Sequence, residues 1–193
     1  RPYQETGFNW IYSLYKNNFG CCLADDMGLG KTLQTLAVIL KIKDDKQNNI
    51  GRKQISKIKG QLSLFDQKSE NIKDSIEKSE CAGIIVMPTS LIHNWVNEIN
   101  KFSPEINYYV YTGGKRIKST KDFDDYDLII TSYGVLRNDI EILKDYLYQF
   151  LILDESQYIK NPGSRINQSV SEMEAGFKMV LTGTPIENSL TDL

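Results

Sequence analysis

The sequence predicts an α/β fold: a mainly parallel sheet with helices on both faces, built around a P-loop. Three observations predict it. Short continuous apolar runs alternate with stretches of helical periodicity, the pattern of parallel strands covered on both sides. A glycine-containing turn at 25–30 joins one such run to an amphipathic segment that begins Lys31-Thr32. Each chemically suggestive segment also follows the C-terminal end of an apolar run, where open parallel sheets gather their ligands.

Residues 3–17 place Phe8, Ile11, Tyr12, Leu14 and Tyr15 at helical spacing, with Asn17, Asn18 and Gly20 as the stop. A strand at 21–24 enters the glycine turn. The next helix runs from about 31 to 42, with Leu33, Leu36, Ala37 and Leu40 on one face. The run 84–87 is the next strand. A helix follows it, lined by Leu91, Trp95, Ile99 and Phe102, with Thr89 or Ser90 as its cap. Strands are expected at 107–111 and 126–132, then a helix at 135–147, and two more strands at 150–153 and 178–181.

Between 44 and 82 the character changes. Lys, Asn, Gln, Ser and Glu dominate, so the segment reads as a flexible insertion or a weak helical hairpin. One apolar island, Gln61-Leu62-Ser63-Leu64-Phe65, resembles the short peptide by which bacterial proteins dock on the sliding clamp. The plainer reading is that Leu62, Leu64 and Phe65 pin the insertion to the domain surface.

The 193 residues suffice for one domain with a full core. Hydrophobic (40%) and charged (25%) fractions are ordinary for a globular protein, and no apolar run has membrane-spanning length. Three cysteines without metal-ligand spacing fit a reducing interior, with Cys21 and Cys22 acting as small hydrophobes in a buried strand. A net charge of −2 does not announce a nucleic-acid binder, so any such claim rests on local residues. Both ends read as cut from something longer.

The chemistry starts at the turn. Gly28 and Gly30 let backbone N–H groups approach phosphate oxygens, and the following helix adds its positive end. Lys31 supplies a mobile cation for the β- and γ-phosphates, and the Thr32 hydroxyl is a magnesium ligand. Asp25 stands where the generic pattern wants glycine. An apolar strand ending in Asp154-Glu155 supplies what the loop lacks: Asp154 for the metal shell and Glu155 to orient and deprotonate a water. Gln157 is placed to couple this corner to a neighbouring segment.

These segments together resemble the first RecA-like lobe of the SWI/SNF-type ATPases, DNA translocases of helicase superfamily two. The resemblance is carried by Arg1-Pro2-Tyr3-Gln4 with Gly7 and Trp10, by 25–34, and by Pro88-Thr89-Ser90-Leu91 with Asn94-Trp95 and Glu98. Thr131-Ser132-Tyr133, Asp154-Glu155-Ser156-Gln157 with Ile159-Lys160-Asn161, and Leu181-Thr182-Gly183-Thr184-Pro185-Ile186 with Asn188 complete it in the family's order. Asp25 is what that family has at its place.

The resemblance implies ATP and Mg²⁺ as cofactors. Gln4 would read the adenine edge, and Asp26, Met27, Gly28, Leu29, Gly30, Lys31 and Thr32 would form the nucleotide loop. Asp154 would bind magnesium, Glu155 would be the base, and Thr182, Gly183 and Thr184 would couple nucleotide state to DNA. Pro88, Thr89, Ser90, Thr131 and Ser132 would meet the backbone of double-stranded DNA through hydroxyls and loop N–H groups. Lys115 and Arg116 read as a solvated loop, and His93 as surface. The family's second RecA-like lobe would complete the site, so residues 1–193 alone should hydrolyse ATP slowly.

Two alternatives stand beside this reading. A DEAD-box RNA helicase usually has Ser-Ala-Thr where this chain has Thr182-Gly183-Thr184, and Asp after Ala where it has Ser156-Gln157. A non-hydrolysing scaffold would have no need of Lys31, Thr32, Asp154 and Glu155 together. The composition and the clamp-like pentapeptide lean bacterial, implying a cytoplasmic, nucleoid-associated protein; a eukaryotic source would imply the nucleus.

Overall fold

The computed structural model describes residues 1–26, 28–58 (backbone alone at 47–58), 82–114, 116, 118–159, 161 and 163–183. Met27, Lys115, Thr184, the island 61–65 and most of the polar stretch 44–82 therefore lie outside the described residues.

Six parallel strands form one sheet in the order β1-β6-β5-β2-β4-β3. They are β1 (Cys21–Leu23), β2 (Gly83–Met87), β3 (Tyr108–Val110), β4 (Leu128–Ser132), β5 (Tyr148–Leu153) and β6 (Ala175–Leu181). The expected parallel α/β architecture is what the chain adopts. β2 and β4 are buried along their whole length, as strands covered on both faces must be.

Alternation sorts the side chains into two cores. Ile85 and Met87 of β2, with Ile130 of β4 and Ile152 of β5, point toward α1 (Pro2–Lys16), α2 (Lys31–Ile58) and α3 (Ile92–Phe102). Ile84 and Val86, with Ile129 and Leu153, point the other way. There they meet α4 (Tyr133–Asn138), α5 (Ile140–Leu143) and α6 (Arg165–Ser171). At the start of β2 only a glycine fits, because a Cβ on Gly83 would overlap the Phe150 ring.

Several elements depart from expectation. α2 does not stop near residue 42 but continues to Ile58, into the polar stretch. Its Lys, Gln and Arg residues favour helix by propensity, and Lys41 pairs with Asp45 at 3.0 Å, without an apolar stripe. The single helix expected at 135–147 is two, broken at Asp139, whose carboxylate is taken by Tyr111 and Arg116. α3 is capped by neither Thr89 nor Ser90, which lie in a preceding 3₁₀ turn, and Phe102 is 45% exposed. β1 is a sheet edge, so Cys22 is exposed rather than buried, while burial pushes the Cys21 thiol up to about 12. α6, unforeseen, begins where the Ser164 hydroxyl accepts from Asn167 N at 3.1 Å.

Candidate functional site: the carboxyl edge of the sheet

Because all strands run parallel, their C-terminal ends share one edge, and strand order decides which segments become neighbours there. β1, β6 and β5 bring together the loop at 24–30, Thr182-Gly183 and Asp154-Glu155. β2 and β4 bring together Pro88–Ser90 and the Ser132–Tyr133 junction. The edge thus has two halves, joined where β5 pairs with β2.

In the first half the loop is held by residues of α1 and α2. Gly28 and Gly30 take φ values of 82° and 83°, a region that strains any residue with a Cβ. Lys31 Nζ turns back to donate to the carbonyls of Asp25 at 2.6 Å and Asp26 at 3.1 Å, which puts a cation inside the loop's concavity. The Leu29 carbonyl accepts from Tyr3 OH at 3.1 Å and Gln4 Nε2 at 3.3 Å, so the start of α1 is tied to the loop. A shallow groove between α1 and α2, lined by Gln4, Phe8, Leu33 and Gln34, opens beside it. Asp25, the residue out of place in a generic P-loop, accepts from Gln34 Nε2 at 3.3 Å and braces the loop against the first turns of α2.

Asp154 sits at the end of β5, 8% exposed, and every polar group it has is engaged. Its N–H donates to Val86 O at 2.9 Å, and its carbonyl accepts from Tyr133 OH at 2.9 Å. Oδ1 accepts from Glu155 N at 2.9 Å, and Oδ2 from Trp95 Nε1 at 2.8 Å. Burial raises its pKa, against the pull of the Trp95 and Glu155 bonds and the Lys31 charge. Glu155 has φ 51°, a left-handed backbone uncommon for a glutamate. Gln157 Nε2 donates to Glu155 Oε2 at 2.7 Å, and Gln157 Oε1 is buried with no partner among the described residues. Thr182 N donates to Leu23 O at 3.2 Å, which seats Thr182 and Gly183 between β1 and β5.

Among the described residues no three His, Cys, Asp or Glu side chains gather to hold a metal. A hard cation here would be held by one or two protein oxygens and completed by phosphates and water. Asp154, whose charge is penalised by burial, and the Thr32 hydroxyl in the first turn of α2 are hard oxygen donors of the kind Mg²⁺ takes.

The second half is plainer. Pro88 is half-buried, and Thr89 and Ser90 are exposed. Thr131 and Ser132, expected to offer hydroxyls to a nucleic-acid backbone, have those hydroxyls engaged within the fold. Thr131 is fully buried and its Oγ1 donates to Tyr111 O at 2.8 Å. Ser132 is buried too, and its Oγ accepts from Val135 N as the cap of α4. Arg116 is likewise no solvated loop cation: its Nε donates to Asp139 Oδ2 at 2.5 Å in a nearly enclosed pair. His93 is exposed, as expected. Reading the sequence missed Tyr3, Gln34, Trp95 and Tyr133 as residues of the site. Trp95 was hidden because its position fits an apolar stripe equally well.

Residues 3–193 match the family model described as "SNF2-related domain". The chain is 35% identical over 196 aligned residues to the TATA-binding protein-associated factor MOT1 of Saccharomyces cerevisiae, covering 100% of this chain and 9% of that protein. It is 33% identical to an uncharacterized ATP-dependent helicase of Mycoplasma pneumoniae, covering 100% of this chain and 16% of that protein. The chain thus spans a small part of the length of these relatives. The Sulfolobus solfataricus SWI2/SNF2 ATPase core in complex with dsDNA superposes with a TM-score of 0.73 at 36% identity, covering 100% of this chain and 34% of that one.

Proposed function

This chain belongs to the SNF2-related domain family, and we propose that it is the ATP-binding lobe of an ATP-driven translocase on double-stranded DNA that remodels or displaces DNA-bound proteins. The observation that carries the proposal is the adjacency created by the order β1-β6-β5. It sets a lysine-bearing phosphate loop, an Asp-Glu pair and the Thr182-Gly183 turn side by side.

The nucleotide enters with its base against the groove of Gln4, Phe8 and Leu33, where the Gln4 amide has both a donor and an acceptor for the adenine edge. Its phosphates displace the Lys31 ammonium from the Asp25 and Asp26 carbonyls, so Lys31 exchanges two neutral acceptors for a charged one. The N–H groups at 28–32 and the positive end of α2 share that charge. Thr32 and Asp154 would hold Mg²⁺, which when bound neutralises charge on the transferring phosphoryl group. Glu155, steadied by Gln157, orients the attacking water and accepts its proton. Thr182 and Gly183, seated between the two strands that carry these groups, relay the nucleotide state.

DNA meets the other half of the edge through Thr89, Ser90 and the N–H groups of that turn, which contact phosphates without reading bases. Thr131 and Ser132 serve this surface from inside, by shaping the junction of β4 and α4. A second RecA-like lobe closes the site.

Glu155→Gln in the full-length protein tests this. ATP should still bind, and duplex-stimulated turnover should fall by about 10²–10⁴-fold, the range a positioned general base supplies. Undiminished turnover would remove Glu155 from the base role. Stimulation by single-stranded RNA but not by duplex DNA would favour the RNA-helicase reading.

A further inference from the structure

The hydrogen bond from Trp95 to Asp154 joins two buried side chains, 1% and 8% exposed, from opposite halves of the edge. An indole N–H is a donor only, and burying it demands an acceptor. A phenylalanine or leucine at position 95 would satisfy the core of Ile85, Met87 and Ile99 without that demand. The chain instead aims the Trp95 indole N–H at Asp154, a buried carboxylate of the nucleotide half.

The consequence is geometric. An aspartate carboxylate turns easily about its last bond, because that torsion is broad and two-fold. Here the two oxygens are held separately, Oδ1 by Glu155 N and Oδ2 by Trp95 Nε1, so the plane of the carboxylate is fixed. Each oxygen keeps a further lone pair for another partner. Glu155 N belongs to the same turn as Asp154 and moves with it. Trp95 does not: it lies in the first turn of α3, which starts from the Pro88–Ser90 turn.

We propose that Trp95 is a positioning residue for the metal–nucleotide site, setting the orientation in which the Asp154 carboxylate receives Mg²⁺. The proposal rests on Asp154 having the metal role proposed above. Partners of this kind, one bond removed from the metal, typically govern affinity by 10–100-fold.

The test is Trp95→Phe, which keeps a ring in the core and removes the N–H, with Asp154→Asn alongside. The readout is the Mg²⁺ concentration that half-saturates binding of a fluorescent ATP analogue, together with the thermal midpoint of each variant. Trp95→Phe should raise the half-saturating Mg²⁺ by about 10-fold while metal-free nucleotide binding stays put. A purely packing role would lower the midpoint and leave the Mg²⁺ requirement unmoved, and that result overturns the proposal. If Asp154→Asn moves the requirement and Trp95→Phe does not, only the Trp95 proposal falls. If neither moves it, the metal role of Asp154 falls and this inference goes with it.

A measurement on the unaltered core removes dependence on the folding of Trp95→Phe. Residues 1–193 contain two tryptophans, Trp10 and Trp95, so Trp10→Phe assigns the Trp95 indole resonance. That resonance should shift on adding Mg²⁺ with ADP, relative to ADP with a chelator. A resonance that stays in place overturns the proposal.

Discussion

The two halves of the carboxyl edge use the same kinds of loop for different ends. Around β1, β6 and β5, polar side chains at the edge are held in place by hydrogen bonds to one another and to the backbone. Lys31 rests on two backbone carbonyls, Asp154 is oriented from both oxygens, and Gln157 holds Glu155. Around β2 and β4, three polar residues expected to face solvent or DNA are held inside the fold. Thr131 closes a hydrogen bond to Tyr111, Ser132 starts α4, and Arg116 neutralises Asp139. Only Thr89 and Ser90 of the five named nucleic-acid residues remain open to solvent, with Pro88 half-buried. A hydroxyl in a motif thus identifies the family without revealing whether it touches the ligand or builds the surface that does.

The strongest way to break this contrast is at Arg116. If Arg116 belongs to the interior, Arg116→Leu should destabilise the fold by about 3 kcal/mol, because it leaves the buried Asp139 charge with the Tyr111 hydroxyl but without its cation. It should change the salt dependence of DNA binding little. The pH dependence supplies the sign. Asp139 has its pKa lowered, first by the Arg116 bond and against the effect of burial, so its contribution is present above the ordinary carboxylate range. That contribution is lost as pH falls through the lowered value. The deficit of Arg116→Leu should therefore be largest at pH 7 and shrink below about pH 4, as urea unfolding at pH 7, 5 and 3 would report. A deficit independent of pH would separate Arg116 from the Asp139 charge.

Next in size are the two hydroxyls of β4. Thr131→Val removes the donor to a buried carbonyl and should cost about 1–3 kcal/mol. Ser132→Ala removes the cap of α4 and should cost about 0.5–2 kcal/mol. Both should retain DNA affinity at a temperature where the variants are folded. Weaker binding with unchanged stability would return these hydroxyls to the interface.

How far the sequence could be read follows the same division. Parallel strands of continuous apolar residues, each ending in a chemically marked turn, placed the sheet and its functional edge. The glycine turn before α2 and the strand that ends at Asp154-Glu155 were legible as elements because both are marked by local residue type and spacing. What escaped were long-range pairs with no local spacing: Trp95 with Asp154, Tyr133 with the Asp154 carbonyl, Arg116 with Asp139. The continuation of α2 to Ile58 escaped for another reason. Polar residues that avoid a core can still favour helix, so absence of an apolar stripe says where a helix is not packed rather than where it ends.

The smallest expected effect bears most directly on the second half. Thr89→Ala with Ser90→Ala removes two exposed, uncharged hydroxyls from the turn that opens toward α3. Neither caps the helix through its side chain, so stability should stay within about 0.5 kcal/mol of the parent. If both hydroxyls donate to phosphates, duplex affinity should drop several-fold, and by the same factor on duplexes of unrelated sequence, since phosphate contacts carry no base information. The salt slope should not change, because slope counts the cations that release counterions and neither residue is one. Binding curves on two unrelated duplexes at two salt concentrations therefore separate the outcomes. A loss that depends on sequence would mean base contacts, and no loss at all would leave only the N–H groups of the turn to meet the backbone.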